Sequence, residues 1–279
     1  MNLSSIIAQT KKKFFSIKTL VLLVIWIFMT DICVSGFRET VSDLGKRDVA
    51  VVLPFLQNSF YFIKTILLGA ICFFSDVPFM QQEERYAVVR MGRKKWGWRN
   101  IVVIMICGFL LSVLLFFISV VEILPIAGWY GEWGSVYRTF AAVPQAAGAD
   151  FIINYALIYN YSPLELAFHI IMIDALAFAF MGVTLYALSL YMSRNLAYAI
   201  MAGFVFLPSV ISKFVWYDSL HYFSPFSWMQ TIYWRVGNNA KNPDMVYIYT
   251  GYFLLIFIGV IVAQSRVQKI EWKATEDNR

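Results

Sequence analysis

Three ionisable side chains stand inside long apolar runs of this sequence. Lys64 lies in NSFYFIKTILLGAICFFSD, and His169 and Asp174 lie five residues apart in LAFHIIMIDALAFAFMG. Ionisable groups at membrane depth are costly to place, so their default reading is functional. Counted from a shared outer face, Lys64, His169 and Asp174 sit at depths of ~10, ~7 and ~15 Å, taking ~1.5 Å of rise per residue. Two chemistries follow. A Lys64–Asp174 ion pair would lock two helices together, and the same three groups would also serve as a translocation path or a proton relay. Glu122, near the outer end of another apolar run, either joins this patch or reaches water.

Catalysis finds no comparable constellation. HExxH is absent, and no Ser/His pair sits on a nucleophile turn. EERYAVVR resembles part of the EExxxR motif of glutamate-type CAAX proteases, but position 88 is Val where that motif has Arg, and the chain has only two histidines, His169 and His221. Cys33, Cys72 and Cys107 form no CxxC pair. Neither a zinc site nor a disulfide framework is expected, and they read as small apolar residues.

The elements that position these groups are read from hydropathy. Of 279 residues, 60% are hydrophobic and only 14% are charged. A soluble chain would be nearer a quarter charged. An all-α integral membrane protein is expected, as one membrane domain over residues 1–279. Six stretches are long enough to span the bilayer, near 17–36, 57–75, 100–124, 164–192, 195–213 and 246–264. The first is expected to be retained rather than cleaved as a signal peptide. Continuous rather than alternating apolar runs argue against a β-barrel. Pro208 is expected to kink the fifth span.

With both termini inside, cytoplasmic segments hold 15 of the 23 lysines and arginines and outer segments hold seven. That bias sets topology by the positive-inside rule, so the net charge of +6 is not a nucleic-acid footprint. Residues 1–16 place Ile6, Ile7, Phe14 and Phe15 beside three lysines, which suits an amphipathic segment on the inner surface as well as a basic tail. The outer connections 37–56, 125–163 and 214–245 are long, and the last two are rich in Trp and Tyr, as expected of interfacial anchors.

The connector between spans two and three differs from every other loop. Residues 75–98 read SDVPFMQQEERYAVVRMGRKKWGW. Ser75 or Asp76 is the N-cap, Pro78 falls in the first turn, and Glu83 and Glu84 precede Arg90, Arg93, Lys94 and Lys95. Gly92 is the expected stop, and Met80, Ala87, Val88 and Met91 form one apolar stripe interrupted by Glu84. A helix resting only on anionic lipid gains nothing from Glu83 and Glu84, so the mixed charge favours a protein partner.

In this order of elements the chain resembles the type-two permeases of ABC exporters, the membrane subunits of bacterial drug, peptide and carbohydrate export systems. The resemblance rests on the basic N-terminal segment, six spans and the acidic-then-basic helix near 76–92. SDVPFMQQEERYAVVRMGRKKW is also similar to the corresponding connector of small Gram-positive permeases. The resemblance implies that residues 76–92 form a coupling helix seated on a soluble ATP-binding subunit, with Asp76, Pro78, Glu83, Glu84, Arg90 and Arg93 at the interface. It also implies pairing with a second permease copy or a paralogue, ATP and Mg held by the partner subunit, and residence in a bacterial plasma membrane. No GxxxxGK[ST] phosphate loop occurs in the chain, and the C-tail 265–279 is too short for an enzymatic domain, so the ATPase is expected on another polypeptide. The competing expectation is an ion- or proton-coupled secondary transporter or channel built on Lys64, His169 and Asp174. Against it stands the lack of a visible inverted repeat.

Overall fold

The structure, a computed structural model, describes residues 3–77, 88–128, 130–143, 151–213, 218–236 and 242–269. In chain order the main helices are α1 (Leu3–Phe14), α2 (Ile17–Asp43), α3 (Leu53–Leu56), α4 (Phe60–Phe73), α5 (Arg93–Ile123), α6 (Ser135–Ala142), α7 (Tyr155–Asn160), α8 (Pro163–Tyr191), α9 (Arg194–Ile211) and α10 (Met245–Val267). Two short strands, β1 (Asp48–Val49) and β2 (Ala127–Gly128), pair in parallel with Asp48 opposite Ala127.

Among the described residues five helices are long and apolar enough to cross a membrane: α2, α5 with its following turn, α8, α9 and α10. The expected second span, 57–75, is shorter as a helix than its apolar run. It begins at Phe60, because residues 57–59 break the backbone between α3 and α4, and it continues past Phe73 as a 3-10 turn over Phe74–Asp76. Its 14 residues rise ~21 Å at ~1.5 Å per residue, and the 3-10 turn adds ~6 Å.

Helix α8 is the central pillar. Its most apolar window is 78% buried, against 22% for α10, so α8 is surrounded by protein while α10 keeps an open apolar side. Burial on all sides explains why α8 shows no polar face along its length. Close approach to α5 depends on small residues. A Cβ placed on Gly108 would lie 2.9 Å from the Ala179 amide nitrogen and 3.2 Å from the Ala175 carbonyl oxygen. Such contacts bring helix backbones together where lipid offers no hydrophobic drive. The start of α8 is fixed by a capping box: Ser162 Oγ accepts from Glu165 N–H, and the Glu165 carboxylate accepts from Ser162 N–H.

The two ends of the bundle differ in chemistry. At one end α1 packs on α5, Arg93 donates to the Gln268 carbonyl at 3.2 Å, and Arg266 donates to the Leu190 carbonyl at 3.3 Å. The N-terminal helix and the end of α10 therefore meet at the same basic end. At the other end the connections are not loose interfacial loops. Residues 51–57 are buried, as are residues 224–231, and both stretches fold into the bundle. Irregular backbone of this kind is tolerated at depth because protein rather than lipid surrounds it. Phe55 packs against the rings of Trp133 and Tyr137, so a cap built from α6, α7 and the two strands lies over the first of these stretches.

Candidate functional site

Lys64 and Asp174 do not pair; each has its own partner. Lys64 is buried and its ammonium donates to the Val205 carbonyl at 2.6 Å, between the rings of Phe60 and Phe206. Val205 stands three residues before Pro208, which lies inside α9 and supplies no N–H. Pro208 deprives the Phe204 carbonyl of its helix donor, and the lysine donates to the next carbonyl of the same turn. His169 Nδ1 lies 2.9 Å from the Tyr249 hydroxyl, with the Tyr161 ring edge-on to the imidazole. Glu122 joins neither group. Its carboxylate lies 3.4 Å from Arg38, which also holds Asp31 at 2.7 Å. Lys64, His169 and Asp174 therefore have three separate sets of hydrogen-bond partners and form no relay among the described residues. Depth along a helix axis leaves open which way each side chain faces around that axis, and here the facing decides.

Asp174 belongs to a polar core that the sequence expectations do not contain. It is the twelfth residue of α8 and is fully buried. That places it ~17 Å along the helix from Pro163. Gln57, also fully buried, donates from Nε2 to Asp174 Oδ2 at 2.6 Å. Gln230 then donates to the Gln57 carbonyl at 3.1 Å, and Thr231 donates to the Pro54 carbonyl at 2.9 Å. Asn58 completes the junction by donating to the Thr231 hydroxyl at 2.9 Å and accepting from Ile232 N–H at 3.1 Å. Two irregular segments, 52–59 and 224–234, thus meet beside Asp174 and satisfy each other's backbone. The signal in the sequence is the polar trio Gln57, Asn58 and Ser59, directly after the apolar residues 51–56.

His221 and Ser227 also meet, with Nδ1 3.0 Å from Oγ. Both are buried, and the imidazole is stacked on Tyr233 with ring centroids 3.8 Å apart. This geometry is that of an aromatic plug rather than an open nucleophile.

The charged connector is described at its two flanks; Pro78, Glu83 and Glu84 lie outside the described residues. On the first flank Asp76 forms an ion pair with Lys13 of α1, Lys18 donates to Ser75 Oγ at 3.0 Å, and Tyr198 of α9 donates to the Ser75 carbonyl. Lys13 is nearly inaccessible and its ammonium sits 4.7 Å from the centre of the Phe73 ring. Burial draws its pKa down to about 7.

On the second flank residues 88–91 are helical, and Gly92 ends the turn with φ 81° while its N–H bonds the Val88 carbonyl at 2.9 Å. The expected stop at Gly92 is therefore found, in a conformation that favours glycine. Val88 and Met91 turn to the bundle, Val89 and Arg90 turn outward, and Arg93 reaches the Gln268 carbonyl at the end of α10.

In comparison with known proteins, no protein family, no curated protein and no solved structure matches this chain.

Proposed function

We infer that this chain is the membrane-spanning subunit of an ATP-driven ABC exporter, resident in a bacterial plasma membrane. Residues 76–92 are its docking element for a soluble ATP-binding subunit, which supplies ATP and Mg. One observation carries the reading. The described flanks of the connector are braced on the bundle, Asp76 on α1 through Lys13 and Arg93 on α10 through the Gln268 carbonyl. A segment braced on two separate helices passes a push to both, which a floating loop cannot do.

The wider fold agrees with a six-span permease. Among the described residues five helices have spanning length, and the reading takes α4 with its 3-10 extension as the sixth crossing. Its rise of ~27 Å compares with a hydrocarbon core of ~30 Å. The end that holds the connector also exposes Lys11, Lys12, Lys18, Arg90, Lys94, Lys95 and Arg194, which is the side that the positive-inside rule assigns to the cytoplasm. In operation, ATP-bound closure of two partner subunits moves the connectors of two permeases, the second being a copy or a paralogue. The paired bundles then open a central path outward.

Capture of the gently solubilised chain from its native host tests this. A stoichiometric soluble protein carrying a phosphate loop supports the reading. Recovery without any ATPase, under conditions that keep other membrane complexes whole, removes it.

A further inference from the structure

The hydrogen bonding around Asp174 is one donor short. Gln57 Nε2 donates to Asp174 Oδ2, but Asp174 Oδ1 and Gln57 Oε1 are both buried and neither meets a donor among the described residues. A buried acceptor without a donor is costly, so two in adjoining groups need an explanation. No ion pair among the described residues reaches Asp174. Lys64 is committed to Val205, and the nearby Tyr252 hydroxyl donates to the Pro225 carbonyl at 2.6 Å. An anion held there by a single neutral amide would be an uncompensated charge in the middle of the bundle.

A carboxylic acid and a primary amide close an eight-membered ring with two hydrogen bonds. The amide N–H donates to the acid carbonyl, and the acid O–H donates to the amide oxygen. The structure holds the first of these bonds, and the two atoms of the second are the two that lack a donor.

We propose that Asp174 is a proton-binding site within the bundle: it carries one proton on Oδ1, donated to Gln57 Oε1, in a neutral acid–amide pair. The proton comes from water during folding and leaves no counter-ion requirement. The pair joins the break between α3 and α4 to the central helix α8, so protonation at this one atom ties the buried 52–59 segment to the bundle. Neither an ATPase nor a second subunit is needed for it, so it stands independently of the exporter reading.

Infrared spectroscopy of the purified chain in D2O at neutral pH tests it. Surface carboxylates are ionised and do not absorb in the region of protonated carboxyl groups. The wild-type protein is expected to show a band there, and Asp174→Asn to lose it. Asp174→Asn should keep near-native thermal stability, because two amides close the same ring. Gln57→Leu should keep the band and move it to higher frequency, as the acid loses its partner. Absence of a protonated-carboxyl band in the wild type overturns the proposal, as does a band that survives Asp174→Asn. Should Asp174→Asn not fold, the Gln57→Leu spectrum decides: an unshifted or missing band contradicts the pair.

Discussion

The carboxylate of Asp48 accepts a hydrogen bond from the Gly134 amide at 2.8 Å, and a Cβ on Gly134 would meet both carboxylate oxygens at 2.5 Å. The same carboxylate takes Val136 N–H at 3.0 Å and Tyr137 N–H at 3.2 Å, so it caps α6 from 88 residues away. It also accepts from the neighbouring Val49 N–H at 2.7 Å, which fixes the strand that pairs with β2. Burial first, and then this carboxylate, hold the Tyr137 phenol well above its ordinary pKa, so Tyr137 stays neutral in the cap. One buried side chain therefore organises the cap.

Replacing Asp48 by Ala leaves the first amides of α6 without an acceptor. Hydrogen bonds to a charged group contribute ~1.5–3 kcal/mol each, so Asp48→Ala is expected to cost at least about 2 kcal/mol. Gly134→Ala should act in the same direction, because the carboxylate has no room to retreat. Thermal unfolding in detergent, followed by tryptophan fluorescence, checks both.

Gly108 sets the distance between α5 and α8. Gly108→Val forces away the backbone at Ala175 and Ala179. It is expected to destabilise by ~1–3 kcal/mol, the usual cost of overpacking. Gly203, where a Cβ meets nothing within 4 Å, is the control, and Gly203→Ala should leave the melting temperature nearly unchanged.

Separate partners for Lys64 and Asp174 predict additive energetics. Lys64→Met and Asp174→Asn combined should equal the sum of the single changes within ~0.5 kcal/mol. A true ion pair would show coupling beyond that. Lys64→Met should couple instead to Pro208→Ala, since the lysine serves the turn that the proline loosens. Chemical denaturation of the three single and two double variants in detergent reads both couplings.

The buried Lys13 makes the basic end sensitive to pH. Its folded pKa of about 7 lies below the ordinary value of 10.5, so above pH 7 the folded chain binds fewer protons at this site than the unfolded chain. This site's contribution to stability therefore rises with pH between about 7 and 10.5 and is unfavourable below that window. The ion pair to Asp76 follows the opposite course, since it exists only while Lys13 is charged. Raising the pH from about 6 to 8 should loosen the 74–77 turn, seen as lower amide protection there after correction for the base-catalysed rise in intrinsic exchange, while the bundle becomes no less stable. Lys13→Met should abolish both effects.

Much of the fold was legible because hydropathy reports span length directly. The runs that form α5, α8, α9 and α10 need no tertiary information. Partners are not legible in the same way. Asp48 sits in a polar stretch, and nothing local announces that it caps a helix 88 residues on. Asp31 lies inside the first apolar run, and its partner Arg38 follows seven residues later, beyond one helical turn. Gln57 stands at the edge of a span by hydropathy, yet it reaches the middle of α8 because residues 51–56 fold into the bundle rather than lying at its surface. Helical periodicity does locate Gly92 and the inward-facing Val88 and Met91, since those depend on one helix alone.

The most direct test of the exporter reading is co-purification after charge reversal in the connector. Glu83→Lys and Glu84→Lys together should release a soluble ATP-binding subunit that remains bound to the wild-type chain, with membrane insertion and melting temperature unchanged. Full retention of the ATPase by the reversed variant, or a wild-type chain that captures none, would contradict the account.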